Sequence, residues 1–442
     1  MAELYAEALD IAQQLIRFDT SNDGRDVIEK PAADYIMDLL HEVGLEPDYL
    51  GPTPGRPSVV VRIPGKKREV EVDPETGERR GGVVIHGHTD VVPAVAGDWS
   101  VDPFGALIKD GYLWGRGAVD MKNMDAMILA VVREIARTGY VPPRDLVVAM
   151  FADEEAGGHM GCQWLVAQHP HLFDGATHAI SEVGGYNTYV DGKRVYLLQT
   201  GEKSLTWYTL RAEGKAGHGS QVNDDNAVAK LARALAAIAD EPWPLALTET
   251  VTKLLSGTAQ LSGLPFDPQD EKTLRALVDA LGPARAYVGA TLRTGANLTS
   301  MNGGYMANVI PSAAQGSVDV RAIPGTEREV AARIAELTEG LTVGMLHDAD
   351  GYECSTEGSF VDAMVGALKE KDPQAYVLPY LLSAGTDNKA LGSLGIAGYG
   401  YCPVRVPEGF DFPAMFHGVD ERVPVDSLSF GSQVLREFID RL

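Results

Sequence analysis

Two stretches decide the fold: Gly82-Val-Val-Ile-His86-Gly-His88-Thr-Asp90-Val-Val92, and Leu146-Val-Val-Ala-Met-Phe-Ala152 running into Asp153-Glu154-Glu155. Each holds an apolar run of the length expected for a parallel strand covered on both faces. Polar residues begin where each strand should end. In open α/β sheets, sites form outside the carboxyl ends of the strands. A histidine, an aspartate and two glutamates are therefore expected on one rim. Imidazole nitrogen and carboxylate oxygen together are the donor set of a hydrolytic zinc site.

Outward from these strands the pattern alternates. Ala8, Ile11, Leu15 and Phe18 recur at a helical period. Pro31 opens a second helical stretch with Ala33, Ile36, Leu39 and Leu40, stopped by Gly44. Residues 58–63 read as a strand. Residues 66–81, polar with Pro-Glu-Thr-Gly at their centre, read as a surface hairpin tip. Helices are expected at 121–138 and 161–169, and strands at 178–182 and 194–200. Such alternation marks an α/β domain.

From about residue 201 the pattern changes. Residues 205–213 alternate, followed by a glycine-rich turn and a helix at 227–240. Alternating stretches at 291–301 and 314–322 precede a helix at 327–339 and a strand at 351–355. This is the split βαβ order of a ferredoxin-like unit. The expected organisation is an α/β domain over 1–200 and 357–442, its mostly parallel sheet flanked by helices. A ferredoxin-like α+β unit over 201–356 is inserted into it. Residues 241–290, mostly helical, interrupt that unit.

Composition narrows the class. A chain of 442 residues exceeds the usual limit of one core. With 38 basic against 62 acidic residues, the net charge is −24. That argues against nucleic acid and membrane surfaces, which need basic patches. Cys162, Cys354 and Cys402 are too few and scattered for a disulfide framework, and read as reduced thiols. The acidic beginning lacks the basic and apolar regions of a signal peptide. No run approaches the roughly 18 apolar residues of a membrane span. A cytoplasmic protein is expected.

Further pieces join the rim. Asp120, in Gly115-Arg-Gly-Ala-Val-Asp120, stands just before a helix, and Glu182 at a strand end. His417 lies in Met-Phe-His417-Gly-Val-Asp-Glu421. Asp90, two residues beyond His88, is placed to orient its imidazole. Taken singly, Asp120 also reads as an N-cap, Asp153–Glu155 as a solvated loop, and Arg321 as half of a structural ion pair. Clustering favours chemistry. The glycines of 111–117 form no GxGxxG cradle after a strand, which excludes that nucleotide site. His86 reads as structural, and His159, His169, His171, His178 and His347 as surface or loop residues.

The pieces HGHTDVVP, GRGAVDMK, DEEAGG, SEVGG, AGHGS, NVIPS, DVRAIPG, SAGTDN and FHGVDE follow one another along nearly the whole chain. With them the chain resembles the dinuclear zinc hydrolases that include aminoacylase, carboxypeptidase G, acetylornithine deacetylase and succinyl-diaminopimelate desuccinylase. The inserted unit falls where that family has its lid and dimerisation domain. The resemblance implies that His88 and Glu182 hold one metal ion, Glu155 and His417 the other, and that Asp120 bridges both. It makes Glu154 the general base. His218 matches a histidine that stabilises the oxyanion, reaching across the subunit interface in dimeric members. Asn308, Arg321 and the Gly385-Thr386 loop match positions that hold the substrate's carbonyl or carboxylate, for which a guanidinium fork is well shaped. Two divalent ions are implied, zinc first, with cobalt or manganese able to share such sites. The implied reaction is cleavage of the amide bond of an N-acyl amino acid or dipeptide with a free carboxylate, by a homodimer. The alternatives are an aminopeptidase of related chemistry and a non-catalytic binding protein on the same scaffold. A carboxylate-pair glycosidase would not need His88 and His417 together.

Overall fold

A computed structural model describes residues 2–24 and 28–442. The two opening stretches form adjacent parallel strands, Gly82–His88 and Leu146–Phe151, in register so that His88 lies opposite Phe151. Their side chains alternate between two cores. Val83, Ile85, Leu146, Val148 and Met150 enter one, while Val84, Val147, Ala149 and Phe151 enter the other. A strand buried on both faces cannot show polar alternation, and so these stretches read as unbroken apolar runs.

The main sheet has ten strands among the described residues. Its order is Asp48–Leu50, Ser58–Ile63, Leu146–Phe151, Gly82–His88, Ala176–Ser181, Ala397–Gly400, Lys193–Glu202 and Tyr186–Val190. Tyr352–Glu353 and Tyr376–Leu382 also pair with Lys193–Glu202. The four central strands run parallel. Antiparallel pairings extend the sheet to both edges. Helices Ala2–Arg17, Lys122–Thr138, Ser359–Lys371 and Val425–Asp440 cover one face; Cys162–Gln168 and Asn388–Gly392 cover the other. At Gly87 a Cβ would stand 2.0 Å from Asp125 Oδ1, so the first helix turn of Lys122–Thr138 approaches His88 closely only over a glycine.

A second sheet of four antiparallel strands has the order Gly295–Gly303, Ala313–Arg321, Leu205–Glu213, Thr342–Ala349. Helices Ala227–Ala239 and Glu327–Leu337 cover it, with Leu210, Leu231, Leu235, Val318 and Ile334 at its core. The final strand is Thr342–Ala349, not the expected 351–355; Tyr352–Glu353 has already joined the main sheet. Thr342–Ala349 is an edge strand with no fully buried residue, and its register shifts opposite Trp207 and Tyr208. Without a buried face it carries no period-two signal.

The helical segment departs further from expectation. Glu249–Ser262, Glu271–Asp279 and Arg285–Val288 interrupt the second unit in sequence but pack on the first. Leu254, Leu255, Leu274, Leu277 and Val288 belong to the main core. The Thr188 hydroxyl donates to the Leu281 carbonyl at 2.7 Å. Helical periodicity reveals an apolar face but not the surface that will cover it. Among the described residues no helix is long and apolar enough to cross a membrane.

Leu254→Ala should therefore lower stability by about 2–5 kcal/mol, the usual range for a buried leucine. Native-state hydrogen exchange should accelerate in Tyr376–Leu382, which this helix covers, and stay unchanged in Leu205–Glu213. The opposite distribution would place the helix with the second sheet.

Candidate metal centre

Three adjacent parallel strands end at one level and release their next residues onto one rim. Gly82–His88 delivers His88, Leu146–Phe151 leads into Glu154 and Glu155, and Ala176–Ser181 leads into Glu182. Asp120 comes from the loop before Lys122–Thr138, and His417 from the turn after Pro413–Met415. Asp153, Val183 and His417 adopt left-handed backbone conformations, with φ of 68°, 56° and 58°. That region is costly for a β-branched residue such as Val183, and such residues cluster where surrounding contacts over-determine the chain.

The side chains converge. His88 Nε2 lies 3.2 Å from Asp120 Oδ1, 3.7 Å from Glu182 Oε1 and 3.9 Å from Glu154 Oε2. His417 Nε2 lies 3.2 Å from Asp120 Oδ2 and 3.1 Å from Glu155 Oε2. The two oxygens of Asp120 thus face different imidazoles. His88 and Asp120 are buried, whereas the His417 side chain is 57% exposed and forms the open edge of the cluster. All five residues expected to hold metal, and Glu154 with them, stand together.

Buried charge explains what these groups do in the protein alone. Burial, reinforced by Glu182, pushes the Glu154 carboxyl well above the usual range. Burial and Asp120 do the same to Glu182. Burial would raise Asp120 also, but hydrogen bonds to the His417 and His88 imidazoles outweigh it and hold it low. Burial opposes charge on His88, yet Glu182, Asp120 and Asp90 hold its pKa well up. Asp120 and Glu155 raise His417 to about 10. Oxygen and imidazole donors within 4.8 Å of one another, in the sets His88–Asp120–Glu155 and His88–Glu154–Glu182, fit divalent transition ions. Cations would replace protons as the neutralising charge.

Buried carboxylates hold the loops in place. Asp90 Oδ1 and Oδ2 accept the backbone N–H groups of Glu154 and Glu155, each at 3.1 Å. Its carbonyl lies 3.0 Å from His88 Nδ1. Asp90 is fully buried, so it acts through its neighbours as a positioning residue. Glu421 was not singled out by sequence, yet it accepts N–H groups from Gly117, Val119 and Asp120 at 3.1, 2.6 and 3.1 Å. It also accepts from Arg116 Nη1 at 2.7 Å, and Arg116 Nη2 donates to the His417 carbonyl at 3.4 Å. One buried ion pair therefore fixes both Asp120 and His417. Its spacing from His417 was the available signal, but an acid in a loop gives no sign of its burial.

The cluster opens into a cleft of about 550 Å³. Arg321, Gly385 and Thr386 line it, as expected. Arg321 is also half of an ion pair: its Nε and Nη2 donate to Asp319 at 2.7 and 3.0 Å. Thr386 is anchored by buried Glu202, which accepts its hydroxyl at 2.6 Å and its N–H at 3.1 Å. His218 and Asn308 do not line the cleft of their own chain. They are exposed on a separate ribbon, where His218 pairs with Val309 and the Gly219 N–H donates to the Asn308 carbonyl at 2.8 Å.

Two histidines expected at the surface or in loops are partly buried. His347 lies on a strand and lines the cleft, its ring 5.4 Å from that of Trp207. His178 lies within Ala176–Ser181, stacked on Phe360 at 4.2 Å, and burial lowers its pKa to about 4. His86 is fully enclosed, 3.0 Å from Asn388 Oδ1, and burial likewise lowers it to about 4.

Comparison with known proteins places the chain in a family. The family model described as peptidase family M20/M25/M40 matches residues 84–441. Aminoacylase-1 of Sus scrofa is 27% identical over 378 residues, covering 82% of this chain and 80% of that protein. The M20 family metallo-carboxypeptidase Sso-CP2 from Sulfolobus solfataricus superposes with a TM-score of 0.75 at 17% identity, over 98% of both chains. The di-peptidase Dug1p from Saccharomyces cerevisiae gives 0.71 at 16%, over 100% of this chain and 96% of its own. At those identities the two structures share the fold.

Metal binding should be strongly pH-dependent. Below a pKa of about 10 the metal-free His417 is an imidazolium without a free lone pair, and a metal ion must displace its proton. Affinity should therefore rise with pH. Calorimetric titration with zinc at pH 7, in buffers of different ionisation enthalpy, should detect release of at least one proton. A proton-neutral titration with constant affinity from pH 6 to 8 would remove His417 from the ligand set.

Proposed function

The chain belongs to peptidase family M20/M25/M40, a hydrolase family of amide and peptide bonds, and we propose that it is a dinuclear metallohydrolase of N-acyl amino acids or dipeptides with a free carboxylate. One observation carries this reading: Asp120 presents each of its oxygens to a different imidazole at 3.2 Å within a buried acidic cluster. His88 and Glu182 would hold one ion, Glu155 and His417 the other, with Asp120 between them. Zinc is the metal favoured by the resemblance, with cobalt or manganese as substitutes. Such ions supply polarisation of the scissile carbonyl and activation of water.

The chain's own residues do the rest. Glu154 sits beside the ligand Glu155, and its raised pKa suits a group that takes a proton from attacking water and passes it to the leaving amine. Asp90 fixes both glutamates through their backbone and holds the His88 ring. Arg321 gives Asp319 one edge of its guanidinium, which leaves Nη1 and one Nη2 hydrogen for a substrate carboxylate. Gly385 and Thr386 offer a rigid loop to the same group. Arg321 on the cleft favours a carboxylate over the ammonium that an aminopeptidase would seat.

The separate position of His218 and Asn308 supports a homodimer. In it, each four-stranded unit acts as a lid that carries these residues to the neighbouring chain's cleft. His218 would there donate to the developing oxyanion and Asn308 to the substrate carbonyl. A reducing, cytoplasmic setting fits the three free cysteines.

A panel of N-acyl amino acids and dipeptides, assayed for free amine with two metal ions bound per chain, tests the reading. Glu154→Gln should keep both metals and lower kcat by about 10²–10⁴-fold. Loss of metal in that variant would instead make Glu154 a ligand.

His218→Ala should retain metal and lose about 10²–10³ in kcat, as for one oxyanion donor. Mixing it with Glu154→Gln chains under subunit exchange should restore part of the activity, since some sites regain both groups. Verified heterodimers without recovery would exclude sharing across the interface.

A further inference from the structure

We propose that Tyr287, with Phe416 beside it, forms an apolar wall of the cleft that selects substrates carrying a bulky or flat apolar group next to the scissile amide. The inference rests on the amide-hydrolase reading and adds a specificity determinant to it.

Tyr287 lies on the short helix Arg285–Val288, inside the helical segment that packs on the main core. Ala284 and Val288 on either side are buried, which fixes the ring's position. Tyr287 itself is half-buried and lines the same cleft as Asp120, Glu154 and Glu182. Its ring meets Phe416 edge to face, with centroids 5.9 Å apart and planes at 83°. Phe416 immediately precedes His417, so the wall begins at the open edge of the cluster.

The wall is rooted in the core. Phe416 packs on Phe412 at 5.4 Å, Phe412 on Tyr186 at 4.8 Å, and Tyr186 on Tyr380 at 6.1 Å. The Tyr380 hydroxyl donates to the carbonyl of Val183, the residue after Glu182. Val183 and Pro413 extend the apolar surface along the cleft. This aromatic chain joins the helical segment to both flanks of the metal cluster.

The Tyr287 hydroxyl makes no hydrogen bond to another described residue, so internal satisfaction does not explain a tyrosine there. Its ring presents apolar area to the cleft while the hydroxyl end stays polar. The acidic groups of the same cleft, Asp120, Glu154 and Glu182, bind cations rather than hydrocarbon. The part of a substrate that covers this ring gains by being apolar. A group as small as a methyl or hydrogen leaves it uncovered.

The test compares wild type, Tyr287→Ala and Tyr287→Phe on two series, each measured by turnover and by calorimetric binding. One varies the acyl group from acetyl through hexanoyl to benzoyl; the other varies the amino acid of N-acetyl compounds from glycine through leucine to phenylalanine. Wild type should prefer the larger members of at least one series. Tyr287→Ala should lower kcat/KM for those members by about tenfold or more, in the range of hydrophobic-pocket discrimination. Metal content should stay the same, and N-acetylglycine turnover should fall less than that of the larger members. Tyr287→Phe, which keeps the ring, should resemble wild type throughout. A uniform loss along both series, or a Tyr287→Phe defect as large as that of Tyr287→Ala, would overturn the wall. If wild type turns over none of the compounds, the hydrolase reading fails separately, and binding still decides the wall. Loss of the preference for benzoyl over acetyl in Tyr287→Ala supports it, and an unchanged preference overturns it.

Discussion

Like charges brought together out of water set the terms for this protein. Glu154, Glu155 and Glu182 share a small volume with Asp120 and two imidazoles. Burying a single ion costs several kcal/mol unless it is paired, about as much as a marginally stable domain can tolerate. In the metal-free chain the cluster favours bound protons: burial and neighbouring acids push the Glu154 and Glu182 carboxyls up, and acidic neighbours hold both imidazoles up. Divalent cations are the alternative counter-charge for the same donors. The fold's task is to keep those donors converged whichever charge is present.

It does so with three further buried carboxylates that lie outside the cluster. Asp90 grips the backbone of Glu154 and Glu155, Glu421 that of Asp120, and Glu202 that of Thr386. Backbone N–H groups are fixed donors with no rotamer freedom, so each bracket positions a loop more stiffly than a side-chain contact would. A charged acceptor also makes a stronger hydrogen bond than a neutral one. Left-handed Asp153 is tolerated because Asp90 holds the two residues after it, and left-handed Val183 because the Tyr380 hydroxyl donates to its carbonyl.

The cleft draws on three parts of the chain. The main sheet supplies the metal donors, the four-stranded unit supplies Trp207, Arg321 and His347, and the helical segment supplies Tyr287. Chemistry is concentrated in the first, which is also where the family resemblance is densest. On the proposed reading, discrimination among amides would fall to the other two, whose residues reach the cleft from other parts of the chain.

The sequence by itself determined the α/β class and the ferredoxin-like order, and it named the candidate donors that the fold brings together. Apolar runs ending in His88, Glu154 and Glu182 mark buried parallel strands, and strand ends in such sheets share a rim. The edge strand Thr342–Ala349 was not legible, because exposure on both faces erases its period. Other features depended on packing between segments far apart in the chain. Residues 241–290 read as mostly helical, yet only the folded chain decided that the main core would cover their apolar face and bring Tyr287 to the metal cluster. Glu421 and Glu202 read as ordinary acids until tertiary structure removed their water and gave them backbone N–H groups instead. Residue identity reveals what a side chain can do chemically; burial and neighbours decide which of those things it does, and both arise from contacts that no local pattern records.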